Sequence, residues 1–331
     1  MNRKATNAFW LFIVLLALVL APWLSRVILG STYIVDLLII AMIYGIVASS
    51  LNLLLGYMEH ASLGHAVYLG ISAYTVAICH TKYGVGLLPS SIFGIVIAIG
   101  AGALFGLFAL RARGVYFLMI TLSLAMMVWG LAYRWVSMTQ GDNGISGIPR
   151  PEIAGISFQG IHLFYYFVLC FFLLCFFCIY RVIRSPFGKT LVGIKESESR
   201  MRTLGYNCWL HRYICFVVAA AFSGVAGILF ILYNQFISPP SLEILPNFEC
   251  LLMVALGGPG TVVGPFVGSL VIVFIKDFIS IYTERWLIVL GVAYIVTIMY
   301  APKGLVVYAN ALWRWFARSA GRKAAGRVEL F

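Results

Sequence analysis

The sequence predicts an all-α, polytopic membrane protein with about ten transmembrane helices. Of its 331 residues, 62% are hydrophobic and only 10% are charged, and the mean hydropathy is +0.99. Soluble domains carry about 25% charged and about 45–50% apolar residues, so this much apolar surface needs lipid around it. Only α-helices and closed β-barrels satisfy their backbone in hydrocarbon, and the apolar runs here are continuous rather than alternating as in barrel strands.

Ten apolar runs approach the length of about 20 residues that crosses the hydrocarbon core as a helix. They are residues 8–29, 33–55, 62–80, 87–110, 115–132, 161–180, 213–235, 248–262, 263–281 and 286–299. Because some of these runs are broken or re-entrant candidates, eight to ten helices is the predicted range. Arg3 and Lys4 precede the first run as in a signal peptide, but no clear cleavage site follows, so an uncleaved helix is expected.

The positions of the basic residues predict the orientation in the membrane. Of the 23 Lys and Arg residues, 17 fall in the segments 1–7, 111–114, 181–212 and 300–331. Cytoplasmic loops are enriched in Lys and Arg, so both termini are expected on the cytoplasmic side of the membrane. The net charge of +12 therefore reflects orientation, and no nucleic acid partner is expected. The Gly- and Pro-rich segment 133–160 then forms an ordered external cap.

Two polar, glycine-containing stretches interrupt the apolar pattern: 56–65 (GYMEHASLGH) and 256–265 (LGGPGTVVGP). The run 66–79 after the first stretch would extend only about 21 Å as a helix, which is too short to span the membrane alone. Paired interruptions in the two halves of a chain are typical of a transport site, and irregular backbone at membrane depth must be covered by protein or line a cavity. Two tight interfacial turns would give the same pattern, so both interpretations stay open.

No motif for catalysis, a metal or a cofactor is present. The histidines are scattered, and Cys175 and Cys178 lie within an apolar run, where cysteine behaves as a small apolar residue. The segment 187–190 (FGKT) resembles the end of a phosphate-binding loop, but Ile183 stands where that motif needs glycine. An enzyme and ATP hydrolysis by this chain are therefore not expected.

Ion-coupled transport is the alternative function that the residues leave open. Charged residues inside membrane helices are costly and usually functional. The candidates are Glu59, Glu249, Lys276 and Asp277, and all lie near the ends of apolar runs. No proton relay is evident among them, which weakens a stand-alone, ion-coupled transporter or channel without excluding it.

The basic segment 181–212 is long for a connection between two spans. Its centre, 191–204 (LVGIKESESRMRTL), is predicted to form an amphipathic helix that Gly205 ends. Such a helix can lie on the lipid surface or dock into the groove of a partner protein. The mixture of basic residues with Glu196 and Glu198 favours a partner protein.

Nine short stretches, in the same order, resemble the M-type membrane permease of ABC importers for branched-chain amino acids and related polar compounds. They are 51–57 (LNLLLGY), 62–65 (SLGH), 72–75 (SAYT), 113–117 (RGVYF), 143–149 (NGISGIP), 184–188 (RSPFG), 204–207 (LGYN), 256–261 (LGGPGT) and 301–305 (APKGL). The resemblance extends over most of the chain from residue 45 to residue 305. One departure is the segment 58–61 (MEHA), where the family usually has small or apolar residues. That departure is either a substitution at an aqueous turn or a charge suited to another solute.

The resemblance implies a single transmembrane permease domain over residues 1–331, in a bacterial inner membrane, that forms half of the translocation path for branched-chain or related amino acids. The implied partners are a second, H-type permease subunit, two cytoplasmic ATPase subunits, an external or periplasmic substrate-binding protein and membrane lipid. The residues implied to couple to the ATPase are Glu196, Ser197, Glu198, Arg200, Met201, Leu204 and Gly205. The residues expected to flank the translocation path are Glu59, Ser62, Gly64, His65, Gly257, Gly258 and Gly260.

Overall fold

The structure is a computed structural model that describes residues 18–23, 32–153, 155–283, 285–300 and 304–308. The longer helices are α1 (Tyr33–Met58), α2 (Ala66–Tyr83), α3 (Leu87–Ala109), α4 (Val115–Arg134), α6 (Ile161–Arg184), α7 (Pro186–Glu196), α9 (Cys208–Asn234), α10 (Ile244–Gly257), α11 (Gly264–Tyr282) and α12 (Trp286–Tyr300). Short elements are helices α5 (Val136–Thr139) and α8 (Glu198–Thr203), the 3-10 turns Gly141–Asn143 and Pro239–Leu242, and strands β1 (Ile145–Ser146), β2 (Glu152–Ile153), β3 (Ile156–Ser157) and β4 (Phe236–Ile237).

Six of the described helices are long and apolar enough to cross a membrane: α1, α3, α4, α6, α9 and α11. Helix α2 has 18 residues but is less apolar, and α10 and α12 have 14 and 15 residues. The predicted span 8–29 lies almost wholly outside the described residues. The polytopic, all-α class is thus confirmed, whereas the predicted count of about ten spans stays a prediction.

Helix α1 is the centre of the bundle, and 20 of its 26 residues are buried. A helix that is apolar on all sides is stable only when protein or lipid surrounds it, and α1 packs against α6, α9, α10 and α11. The Ser269 hydroxyl of α11 donates a hydrogen bond to the carbonyl of Ala41 (2.9 Å), and Gly45 lies against the Phe266 ring. Small residues therefore bring α1 and α11 into close contact.

The described residues of the segment 133–160 form short strands and turns, and its position outside the membrane stays a prediction. Its strand β1 pairs antiparallel with β4 through Ile145 and Ile237, and β2 and β3 form a small hairpin. Because β4 follows α9 directly, this pairing fixes the segment to the connection between α9 and α10.

The prediction of one continuous helix over 191–204 is wrong. The segment forms two helices, α7 and α8, which meet at Ser197. The backbone of Ser197 is extended, with φ −161°, and its hydroxyl accepts a hydrogen bond from the Arg200 N–H (3.4 Å). A serine in this position caps the start of a new helix. Gly205, with φ +86°, follows the end of α8, close to the stop that the sequence predicts.

Candidate translocation and coupling site

The first break in the helical pattern consists of residues 59–65, between α1 and α2. Side chains from α4, α9 and α10 bond to the backbone around it. The bonds are Leu63 N–H to Thr121 Oγ1 (3.2 Å), Ala66 N–H to Asn247 Oδ1 (2.9 Å) and Ser223 Oγ–H to the His65 carbonyl (3.2 Å). Irregular backbone is tolerated at membrane depth when protein covers it and satisfies its polar groups. The buried part of the first break, residues 62–65, is covered by protein, and these bonds satisfy three backbone groups in it or next to it.

Three of the predicted path residues lie buried in this break. Ser62 and His65 are each 1% exposed, and His65 Nε2 lies 2.8 Å from Ser50 Oγ of α1. A Cβ atom on Gly64 would lie only 2.3 Å from the Thr121 carbonyl oxygen, so α4 approaches the main chain at a point where a larger residue does not fit. These residues lie together where α1, α2 and α4 meet.

Glu59 differs from the other residues of the first break, because its side chain is exposed. It ends α1 in the left-handed conformation, with φ +61°, and its N–H donates to the Leu54 carbonyl. This position favours the interpretation of the 58–61 departure as a substitution at an aqueous turn.

The second break, residues 258–263 between α10 and α11, docks onto the last two turns of α1. The Asn52 amide donates to the Thr261 carbonyl (2.8 Å), and Asn52 Oδ1 accepts from the Gly260 N–H (2.9 Å). The Tyr57 hydroxyl donates to the Gly260 carbonyl (3.0 Å). Since Asn52 is 1% exposed, one buried amide satisfies two backbone groups that have left the helical pattern.

Glycines allow main chain to meet main chain at the second break. A Cβ atom on Gly56 would lie 2.3 Å from the Gly260 nitrogen, and one on Gly257 would lie 1.9 Å from the Gly264 carbonyl oxygen. Gly258 has φ +119°, a conformation that favours glycine. Of the three predicted glycines, Gly260 lies against the end of α1, whereas Gly257 approaches the Gly264 backbone across the break.

Glu198 is the centre of an ion cluster that we call the arginine cluster, formed with Arg113, Arg202 and Arg212. Its carboxylate lies 2.9 Å from Arg113, 2.5 Å from Arg202 and 2.9 Å from Arg212. Arg113 lies between α3 and α4, and Arg212 belongs to α9. The cluster therefore joins α8 to two other parts of the bundle. Burial favours the neutral acid, but the Arg212 hydrogen bond and the three guanidinium charges outweigh it and lower the pKa of Glu198.

The other predicted coupling residues divide into two groups. Four of them are exposed: Glu196, Arg200, Leu204 and Gly205. Leu204 is 66% exposed, which is unusual for an apolar side chain at the end of a short polar helix. Ser197 and Met201 instead hold the local structure, since Ser197 caps α8 and the Met201 side chain packs on Gly193 of α7.

One contact links the basic segment to the second break. The Lys195 ammonium of α7 donates a hydrogen bond to the Gly56 carbonyl (3.0 Å), and Gly56 packs against Gly260. The basic segment thus contacts the turn of α1 on which the second break rests.

The polar side chains that hold the two breaks were not predicted from the sequence. They are Ser50, Asn52, Thr121 and Ser223, which lie within apolar runs, and Asn247, which directly precedes one. A polar residue inside or beside an apolar run is a candidate for a buried hydrogen bond, so the sequence does contain a signal for these residues. The ion pairs of Arg113 and Arg212 with Glu198 were not predicted from the sequence either.

Comparisons with known proteins agree on one family. A family model for the permease component of the branched-chain amino acid transport system matches residues 33–299. The high-affinity branched-chain amino acid transport system permease protein LivM of Escherichia coli strain K12 is 30% identical over 319 residues, which cover 89% of this chain and 74% of the relative. LivM of Salmonella typhimurium is 29% identical over the same coverage. A probable LivM of Methanocaldococcus jannaschii is 26% identical over 49% of this chain and 52% of the relative. No solved structure matches this chain.

Proposed function

This chain belongs to the family of permease components of branched-chain amino acid transport systems, and we propose that it forms half of the translocation path of an ATP-driven importer for branched-chain or related amino acids. Membership of this family makes the chain a transporter subunit rather than an enzyme. It also implies ATPase and substrate-binding partners in general terms. The substrate class is proposed from the relatives, whose names state branched-chain amino acid transport.

The contacts at the end of α1 support the proposed mechanism most directly. Asn52 holds the second break there, and Lys195 of the basic segment bonds to Gly56 one turn away. A displacement of α7 therefore acts directly on the backbone against which the second break packs. We assign the residues of the two breaks to the translocation path for this reason.

The ATPase contact is proposed for the exposed face of α8. Leu204 and Arg200 are exposed and available to a partner, whereas Glu198 bonds to the arginine cluster within the chain. Helices that present an apolar anchor among charged residues commonly dock into grooves of partner proteins. In this assignment Leu204 contacts the ATPase, and Glu198 transmits the force to α9 and to the α3–α4 connection.

A second, H-type permease is proposed to cover the outward face of α4. This helix contacts the first break through Thr121 and exposes large apolar side chains on its other face, including Met119 and Met127. Two ATPase subunits and an external substrate-binding protein complete the assembly. The distribution of basic residues supports cytoplasmic termini, with the 133–160 segment outside and facing the binding protein.

Reconstitution tests the proposal. The chain is incorporated into liposomes with its partner permease, the ATPases and a leucine-loaded binding protein, and uptake of radiolabelled leucine is measured. Uptake is expected only with ATP and the full assembly. Leucine flux by the chain alone under an ion gradient would support the stand-alone transporter and contradict the proposal.

A variant separates docking from transport. Leu204→Asp is expected to reduce co-purification of the ATPases at least about tenfold, since an acidic group cannot fill an apolar pocket. The matched control is Val136→Asp, an equally exposed aliphatic position (63%) in the 133–160 segment at the other end of the bundle. Equal ATPase recovery with both variants would contradict the assigned docking face.

A further inference from the structure

A cavity of about 450 Å³ lies between α1, α9, α10, α11 and α12, away from both breaks. Phe236 of β4 lines one wall, so the cavity lies at the end of the bundle that carries the 133–160 segment. No residue of 59–65 or 258–263 contributes to its lining. It is therefore a separate feature from the proposed translocation path.

Charged side chains of both signs meet in this cavity. Glu249 of α10 is 4% exposed and accepts from the Lys276 ammonium of α11 (2.7 Å). The same ammonium lies 4.6 Å from the centre of the Trp286 ring. Asp277 also lines the cavity and accepts a hydrogen bond from the Tyr33 hydroxyl. Charged groups in membrane helices are costly, and such groups commonly mark a binding site.

Apolar and aromatic side chains form the rest of the wall. Ile40, Tyr44, Phe230 and Ile272 are among the lining residues. Ligand sites typically enclose 300–1,000 Å³, with mostly apolar walls and a few polar groups that fix orientation. The cavity matches this description in both size and chemistry.

We propose that the cavity binds a molecule that carries an ammonium group next to an anionic group on an apolar body. Lys276 has three N–H donors, of which Glu249 uses one, so it can also bind the anionic group of the ligand. Two acidic side chains and one basic side chain line the cavity, so Asp277 is the partner for the ligand ammonium, and Tyr44 and Trp286 contribute aromatic wall. The apolar body contacts the aliphatic wall.

Two sources supply this chemistry: a free apolar amino acid and the headgroup of phosphatidylethanolamine. The full-length chain is reconstituted in nanodiscs of phosphatidylglycerol alone, and binding of radiolabelled leucine is measured by equilibrium dialysis. In a second arm the nanodiscs contain equal amounts of phosphatidylethanolamine and phosphatidylglycerol, and native mass spectrometry measures which lipid the released protein retains. The two arms distinguish the sources.

The variants are Asp277→Asn and the double variant Glu249→Gln with Lys276→Met. The double variant removes both partners of the buried pair, so it leaves no unpaired buried charge. The control is Asp142→Asn, an exposed acidic residue in the 133–160 segment. Melting temperatures of all variants establish that the fold is retained.

We expect the unmodified protein to bind leucine near-stoichiometrically or to retain phosphatidylethanolamine selectively. Each of the two variants should weaken that binding about tenfold, and the control Asp142→Asn should leave it unchanged. Either source supports the proposal. It is overturned when neither probe binds, as a purely structural ion pair predicts, or when binding is equal in the variants and the control. Leucine uptake by the complete importer is a separate measurement, so failure of this site leaves the proposed function intact.

Discussion

Replacing Glu198 with glutamine should uncouple ATP hydrolysis from transport. The substitution removes the charge on which the arginine cluster converges. Arg212 is only 12% exposed, so leaving its guanidinium without an anionic partner costs about 2–3 kcal/mol. Arg113 and Arg202 are 66% and 62% exposed, and each of these pairs contributes about 0.5 kcal/mol. The attachment of α8 to the bundle is therefore weakened by about 3–4 kcal/mol, a factor of roughly 100 to 1,000 in the docked population.

The assay is the ratio of leucine transported to ATP hydrolysed in proteoliposomes that contain the complete importer. With Glu198→Gln, the exposed face of α8 remains available to the ATPase, so hydrolysis should stay within about twofold of the unmodified protein. Uptake should fall at least about tenfold. The matched control is Glu196→Gln, because Glu196 is exposed two residues away and has no ion pair among the described residues.

Two results would refute this reasoning. An unchanged ratio in Glu198→Gln, equal to that of Glu196→Gln, would show that the arginine cluster transmits nothing. Loss of the ATPase from the purified assembly would show that Glu198 is itself a docking residue. A double-mutant cycle with Arg212→Met separates the partners, since little further loss is expected once the principal pair is already broken.

Three further predictions concern the breaks and the pH dependence. Asn52→Leu leaves two backbone groups of the second break without partners, at a cost of about 2–4 kcal/mol in folding free energy. Uptake and melting temperature should therefore both fall. Neither should change in the control Asn143→Leu, because Asn143 is exposed. Gly64→Ala forces a Cβ atom to within 2.3 Å of an α4 carbonyl oxygen and should destabilise the protein by about 1–3 kcal/mol in a thermal melt, whereas Gly130→Ala, with open space around it, should not. The lowered pKa of Glu198 means that its ionised form stabilises the fold fully above its ordinary pKa of about 4.3. This contribution is lost as the pH falls through the lower folded-state pKa, so the melting-temperature difference between the unmodified protein and Glu198→Gln should shrink below about pH 4.

The two breaks were predictable because their signal is local. Glycine, proline, histidine and glutamate in 56–65 and 256–265 interrupt apolar runs, and the helices end or begin within these stretches. The interior of the basic segment was harder to predict, because the amphipathic pattern over 191–204 continues across Ser197. At Ser197 the side-chain hydroxyl accepts a hydrogen bond from the Arg200 N–H, which favours the start of a new helix over continuation of the first one.

The role of Glu198 could not be derived from its neighbours in the chain. Arg113 is 85 residues away and Arg212 is 14 residues away, so only the tertiary fold brings their charges to the carboxylate. The resemblance to permeases implies an ATPase contact for this residue, and the structure adds three arginine partners within the chain. Asn52 shows the same limit, because a polar residue in an apolar run signals a buried bond without identifying the partner.

The basic segment reaches both breaks by separate physical routes. Through Glu198 it binds Arg113, which lies two residues before α4, and α4 carries Thr121 at the first break. Through Lys195 it holds the end of α1, where the second break is docked. Helices are stiff and their contacts are close-packed, so in the proposed importer a displacement of α7 and α8 is expected to act on the two breaks together. Alternating access, in which a path opens on one side as it closes on the other, would use such a coupled displacement.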